Sequence, residues 1–313
     1  MKNEKWKIVQ EFALFVNFIC IYHKKVVPLW QIIRIMSEFW KRTLSGAVYV
    51  GVVVGSILYN EIIFLALSIT LAFLALREYN SLTHPRCTMD FFSEMSAVLC
   101  VFPCTVALLY PAPWNPWIVL TLLLPLGVLI AELWDKNGNP IIQWGHFLVG
   151  QIMITLPFAL MNVLCHVDPY LLLAVFVLIW VNDSGAYCVG MLTSKLPGGN
   201  HKMFPRVSPK KSWEGLFGGL VFTIGVAFIL NHFGWFHAIT KEGNELLIAC
   251  GFAFIVSGFG TLGDLMESLF KRTIGVKDSG KFLPGHGGVL DRFDSILLAA
   301  PVVLIYVAML ILC

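Results

Sequence analysis

Five side chains near the C-terminal end carry chemistry that an apolar chain has no structural need for. Asp264, Glu267 and Ser268 fall at i, i+3 and i+4, one face of a helix. Asp291 and Asp294 share a face by the same rule. The intervening residues 269–290 leave enough chain for two antiparallel helices to bring these faces together. Carboxylates from two helices can hold one or two Mg²⁺ ions, which keep water and substrate phosphates as further ligands. That constellation points to phosphoryl or nucleotidyl transfer, where positioning and charge neutralisation do most of the work.

Two polar stretches accompany the acids, LTSKLPGGNHKMFPRVSPKK at 192–211 and KRTIGVKDSGKFLPGHGG at 271–288. Basic residues beside a bilayer attract anionic headgroups, which explains the charge but not the glycines or the carboxylates. Together these groups suit a polyphosphate with its divalent metal. Gly285, Gly287 and Gly288 let backbone N–H groups approach phosphate oxygens, Pro284 stiffens the turn, and His286 can donate. GFGTLG, residues 258–263, has the form of a dinucleotide fingerprint but lies in an apolar run without a βαβ unit. Close helix packing, or room for a ligand at Asp264, explains it better, and Gly51/Gly55 and Gly215/Gly219 likewise read as packing faces. There is no Walker A sequence, and no nucleic-acid partner is expected.

The elements that must position these groups are membrane helices. Hydrophobic residues make up 58% of the 313, charged residues 13%, and mean hydropathy is +0.77. The fold class is therefore all-α and polytopic, an integral membrane protein in contact with the lipid bilayer on most of its surface. The eight cysteines show no metal spacing. Apolar runs give about nine transmembrane helices, at 43–60, 61–77, 93–110, 117–133, 141–164, 169–190, 212–233, 245–270 and 290–312. Residues 1–42 read as a basic interfacial segment, with a cleaved signal or an extra span at 8–22 left open. Residues 43–170 form the N-terminal helices and 171–313 the catalytic region.

With residues 1–42 inside, all 22 Lys and Arg residues except Lys241 fall on the cytoplasmic side, as the positive-inside rule requires. Asp183, Glu214, Asp264, Glu267, Asp291 and Asp294 then all lie toward the cytoplasm. A lone charge at the bilayer centre costs about 2.5–3.5 kcal/mol or more, so the acids imply a polar cavity with catalytic loops on that face. Asp291 and Asp294 could alternatively cap a helix through its macrodipole. Asp264 and Glu267 lie within an apolar run and are not explained that way.

At these residues the chain resembles a known family. SLFKRTIGVKDSGKFLPGHGGVLDRFD, Ser268 to Asp294, is similar without a break to the signature of the CTP:phosphatidate cytidylyltransferases, or CDP-diacylglycerol synthases. DSGAYCVG at 183–190 and SPKKSWEG at 208–215 agree, and the resemblance covers about residues 175–300. It implies transfer of CMP from CTP to phosphatidic acid with Mg²⁺ as cofactor, in the inner membrane of a bacterial cell. It also implies Asp264 and Asp291 as the principal metal-binding carboxylates, with Asp294 and Glu267 as further candidates. Ser208, Lys210 and Lys211 would meet the nucleotide phosphates, supported by Asp183. Lys271, Arg272, Lys277 and His286 would handle the lipid phosphate or the departing pyrophosphate, and Ser268, Gly287, Gly288 and Arg292 would complete the substrate contacts. Met191 and the long 191–207 connection depart from the pattern, which bears on Lys195, His201 and Lys202. A polyprenol or phytol kinase using CTP shares parts of this architecture. A cation-coupled transporter with Asp183, Asp264 and Asp291 as an ion path is the reading from another class. A homodimer stays open.

Overall fold

The computed structural model describes residues 29–83, 88–109, 116–134, 139–240, 243–280 and 287–312. The interfacial reading of the N-terminus, including 8–22, and the expectation for Pro284, Gly285 and His286 lie outside the described residues. The chain divides into two units, residues 1–50 with 283–286, and residues 51–282 with 287–313. In the first, the described structure is helical from Leu29. Everything that follows concerns the second.

The helices are α1 (Leu29–Tyr59), α2 (Glu61–Thr83), α3 (Thr88–Leu109), α4 (Pro116–Ala131), α5 (Pro140–Gly150), α6 (Leu156–Val167), α7 (Pro169–Thr193), α8 (Trp213–His232), α9 (Glu245–Ile274) and α10 (Leu290–Leu312). Each of the nine apolar runs is helical among the described residues, with α5 and α6 sharing one run. Among the described residues, six stretches are long and apolar enough to cross a membrane: α2, residues 140–167, α7, α8, α9 and α10. The 43–59 part of α1 and the 99–109 part of α3 are shorter apolar helices.

Local chemistry sets the boundaries. Asn60, Asn139, Asp168 and Ser212 each accept a backbone N–H two or three residues on, opening α2, α5, α7 and α8. Pro140 and Pro169 occupy the first helical positions, where their missing N–H is not needed. Asp168 ends α6 and caps α7, so one residue reverses the chain. Gly275, at φ 81°, closes α9 in the left-handed region. Between α5 and α6, residues 151–155 widen into a π turn, closed by Leu156 N–H to the Gln151 carbonyl. The cause is Pro157, which has no N–H to give Met153 and whose ring crowds that carbonyl.

α6 and α7 sit at the centre. Phe158, Met161, Leu164, Leu171, Leu172 and Leu178 are all less than 2% exposed. Phe158 meets Phe293 of α10 at 5.4 Å between ring centres. Outward-facing side chains are instead large and apolar, such as Phe254 at 64% and Leu247 at 73% exposure, as a lipid-facing surface requires. α7 and α8 lie in close contact because Gly215, Gly218 and Gly219 remove the Cβ from one side. A Cβ on Gly219 would stand 2.7 Å from Asn182 Oδ1, and one on Gly218 would stand 2.5 Å from Val189. Gly51 and Gly55, expected to pack in the same way, face nothing within 4 Å among the described residues, so that expectation is corrected.

A further element lies within the expected loop 191–211. Lys202–Phe204 (β1) pairs antiparallel with Ser208–Ser212 (β2), and Lys202 faces Ser212 while Phe204 faces Ser208. Asn200 ties the hairpin to α7 through the Gly190 carbonyl at 2.6 Å. Glu214 receives the His201 backbone N–H at 3.0 Å and meets its Nδ1 at 2.6 Å. Arg272 Nε donates to the Val207 carbonyl at 3.4 Å, joining the turn to the end of α9.

Candidate active site

Five helix ends, from α2, α7, α8, α9 and α10, converge on one side of this unit together with the hairpin. α9 projects Asp264 and Glu267, and α10 projects Asp294, so that one ligand oxygen from each lies within 4.8 Å of the others. The close approach depends on Gly263, where a Cβ would lie 2.5 Å from the Asp294 carbonyl. Glu267 is 5% exposed. Clustered acids in so dry a place repel one another unless cations neutralise them.

Two lysines supply part of that charge. Lys211, from β2, places Nζ 2.7 Å from Asp264 Oδ2 and donates to the Thr261 carbonyl at 3.2 Å. Lys271 lies between Glu267, one turn back on α9, and Asp291 Oδ1 at 2.7 Å on α10. Its side chain is 12% exposed and that of Asp291 7%, so this ion pair joins the helices in a largely dry setting.

The expected site residues fall into distinct places. Asp264, Glu267 and Asp294 form the carboxylate cluster, and Ser268 donates to Asp264 Oδ1 at 3.3 Å. Asp291 is not part of that cluster: Oδ1 faces Lys271, and Oδ2 accepts the N–H groups of Ser279 at 2.9 Å and Gly288 at 2.8 Å. The Gly288 amide, expected to face a phosphate, is therefore given to Asp291. Gly287 has φ 91°, and a Cβ there would lie 2.6 Å from Asp291 Oδ2, so its glycine is required by the turn as well as by space. Asp183, Lys210 and Lys211 line one cavity with Asp264. Ser208 pairs with Phe204 in the hairpin and does not line it. Arg272 holds backbone carbonyls of Val207 and Val276. Lys277 and Arg292 are exposed, and His286 lies outside the described residues.

Two polar residues at the site carry no part in the sequence reading. Asn182, 2% exposed, accepts from Ser257 at 2.6 Å and donates to Thr261 at 3.4 Å beside the Lys211 contact. Glu78, near the end of α2, receives Ser279 Oγ and the N–H groups of Val289 and Leu290. The available signal was an acid at the end of an apolar run, the same signal that singled out Asp183.

Two cavities meet at the cluster. One, of about 260 Å³, is apolar, lined by Tyr79, Ile152, Met153, Phe270, Leu297 and Pro301 among others, with Glu267 and Asp294 at its acidic end. Ile152 and Met266 on its wall are 63% and 42% exposed, so it opens toward the lipid-facing surface. The other, of about 230 Å³, is the more polar of the two and contains Asp183, Lys210, Lys211, Ser212, Thr261 and Asp264. Gly263 lines the first and Asp264 the second.

Comparison with known proteins identifies the family. The cytidylyltransferase family matches residues 40–310. A Haemophilus influenzae protein named phosphatidate cytidylyltransferase is 42% identical over 180 residues, covering 55% of this chain and 58% of that protein. One of the same name from Staphylococcus aureus is 30% identical over 264 residues, 83% of this chain and 95% of the relative. A third, from Staphylococcus epidermidis, is 44% identical over 132 residues, 42% of this chain and 46% of its own. The family match spans nearly all the described helices and both polar segments of the site: the chain belongs to the cytidylyltransferase family.

Proposed function

We propose that the chain is a CTP:phosphatidate cytidylyltransferase, joining phosphatidic acid to the CMP part of CTP and releasing pyrophosphate. The observation that carries this reading is the meeting of an apolar and a polar cavity at one carboxylate cluster. A diacylated phosphate needs the first and a nucleoside triphosphate the second. The reaction needs their phosphates side by side.

Asp264, Glu267 and Asp294 fit a divalent cation: three acidic ligands lie close together, and Glu267 Oε1 has no hydrogen-bond donor. The oxygen-only donor set suits Mg²⁺. Bound there, the ion would offset phosphate charge and supply Lewis-acid polarisation. Lys210 and Lys211 attract the triphosphate into the polar cavity, and Asp183 and Asn182 shape its wall. Lys271 pairs with both Glu267 and Asp291 and holds their side chains in place, so the cluster does not reorganise when substrate arrives. No general base is needed, because a phosphomonoester has its second pKa near about 6 and is largely dianionic at neutral pH. A lipid phosphate oxygen attacks the α-phosphorus of CTP. As that P–O bond forms, the bond from the α-phosphorus to the bridging oxygen breaks, and pyrophosphate leaves with the electron pair. CDP-diacylglycerol remains in the bilayer.

Nine crossings with the site toward the cytoplasm follow from the same reading. Alternation of α2, the 140–167 stretch and α7 to α10 would bring their site-bearing ends to one side, together with the basic residues of the hairpin and Lys271, Arg272, Lys277 and Arg292. The reading is tested with purified protein, phosphatidic acid, Mg²⁺ and CTP labelled in the cytidine. Label is expected in chloroform-soluble CDP-diacylglycerol, with pyrophosphate in equal amount and loss of product on adding EDTA. Folded protein that yields no such lipid rejects the assignment, and release of CDP with a newly phosphorylated prenol would indicate the kinase instead.

A further inference from the structure

Glu78 lies outside both segments that carry the cytidylyltransferase signature, yet its carboxylate reaches into one of them. Oε1 accepts the Val289 N–H at 2.9 Å, and Oε2 accepts the Leu290 N–H at 3.0 Å and the Ser279 hydroxyl at 3.1 Å. Val289 and Leu290 open α10, where the first N–H groups have no acceptor within the helix. A carboxylate placed there satisfies two of them and faces the positive end of the helix. Glu78 therefore caps α10 from α2, a helix some two hundred positions earlier in the chain.

Two glycines of the signature are shaped around this carboxylate. A Cβ on Gly280 would lie 2.5 Å from Glu78 Oε1, and a Cβ on Gly288 would run into both Glu78 Oε2 and Ser279 Oγ. Ser279 also gives its backbone N–H to Asp291, at 2.9 Å. From Asp291 the contacts continue to Lys271, from Lys271 to Glu267, and Glu267 belongs to the carboxylate cluster. Glu78 thus fixes the start of the helix that delivers Asp294 and holds Lys271 in place.

We infer that Glu78 is a positioning residue for nucleotidyl transfer: it touches no substrate, and it sets the α10 end of the site from the N-terminal half of the protein. This rests on the reaction assigned in the preceding subsection. A displacement of about 1 Å at a reacting centre costs on the order of 10²-fold in rate, and α10 carries one of the three clustered carboxylates.

The test compares full-length wild type with Glu78→Gln and Glu78→Ala in lipid–detergent micelles. Gln keeps the size but turns an NH₂ toward backbone donors. Turnover is expected to fall at least about tenfold in Glu78→Gln, with KM for CTP within about twofold, because Lys210 and Lys211 are held by the hairpin and not by α10. Hydrogen exchange in a peptide containing Val289 and Leu290 is expected to quicken about tenfold or more, while α7 and α8 peptides stay as in wild type. Gly280→Ala should lower turnover in wild type and add no further loss to Glu78→Ala, where the methyl group has room. Turnover in Glu78→Gln within twofold of wild type overturns the role, as does a raised KM for CTP at unchanged turnover, or multiplication of the Gly280 and Glu78 effects. An inactive wild type sinks the assigned reaction itself. An active wild type with an unaffected Glu78→Gln sinks only the role of Glu78.

Discussion

Lys271 and Asp291 show how a single residue's neighbours decide its task. The i, i+3 spacing of Asp291 and Asp294 was legible as a shared helix face, but not which acid would reach the cluster. Asp294 does, while Asp291 is engaged by Lys271 and two backbone amides. That division depends on Ser279 and Gly288, whose loop conformation no local spacing reveals. Different failures follow for the two carboxylates on facing helices. Asp264→Asn is expected to abolish turnover with the melting temperature near that of wild type, because a ligand is lost while the helix packing stays. Asp291→Asn is expected to reduce turnover and also lower stability by about 2 kcal/mol, since a charged acceptor of two amides and an ammonium is neutralised. Thermal melts alongside the lipid-labelling assay separate these outcomes, and equal melting temperatures for the two variants would contradict the distinction.

Among the elements, the helices were readable and the connections less so. Apolar runs bounded by Asn60, Asn139, Asp168 and Ser212 became helices near the expected limits, because hydropathy and capping chemistry act locally. The hairpin was hidden. Pro209 lies within its second strand, and the pairing is supported by contacts from Asn200, Glu214 and Arg272 to distant backbone groups. The glycine seam between α7 and α8 was legible at Gly215 and Gly219, whereas Gly51 and Gly55 have the same spacing without a close neighbour. Spacing reports that helices can approach, and only the partner face decides whether they do. Gly219→Val is therefore expected to destabilise the protein by about 1–3 kcal/mol through contact with Asn182. Gly55→Val is expected to leave the melting temperature within about a degree of wild type. A large loss at Gly55, or none at Gly219, would overturn this account of the seam.

For the whole molecule, the sidedness proposed from the charge distribution can be measured. Lys195 lies exposed near the hairpin and His237 lies exposed between α8 and α9. In a background with all eight native cysteines replaced, Lys195→Cys should react with an impermeant maleimide only after spheroplasts are opened. His237→Cys should react in intact spheroplasts, and the reverse pattern would invert the topology. The wall of the apolar cavity has a separate consequence. Ile152 and Met266 leave it open toward lipid, so under the proposed function phosphatidic acid would enter by diffusing in the plane of the membrane without passing through bulk water. The quantity the enzyme senses is then the mole fraction of that lipid among its neighbours, a two-dimensional concentration. Membrane composition would set the rate directly, and adding inert lipid would slow the enzyme even with the total amount of each substrate unchanged.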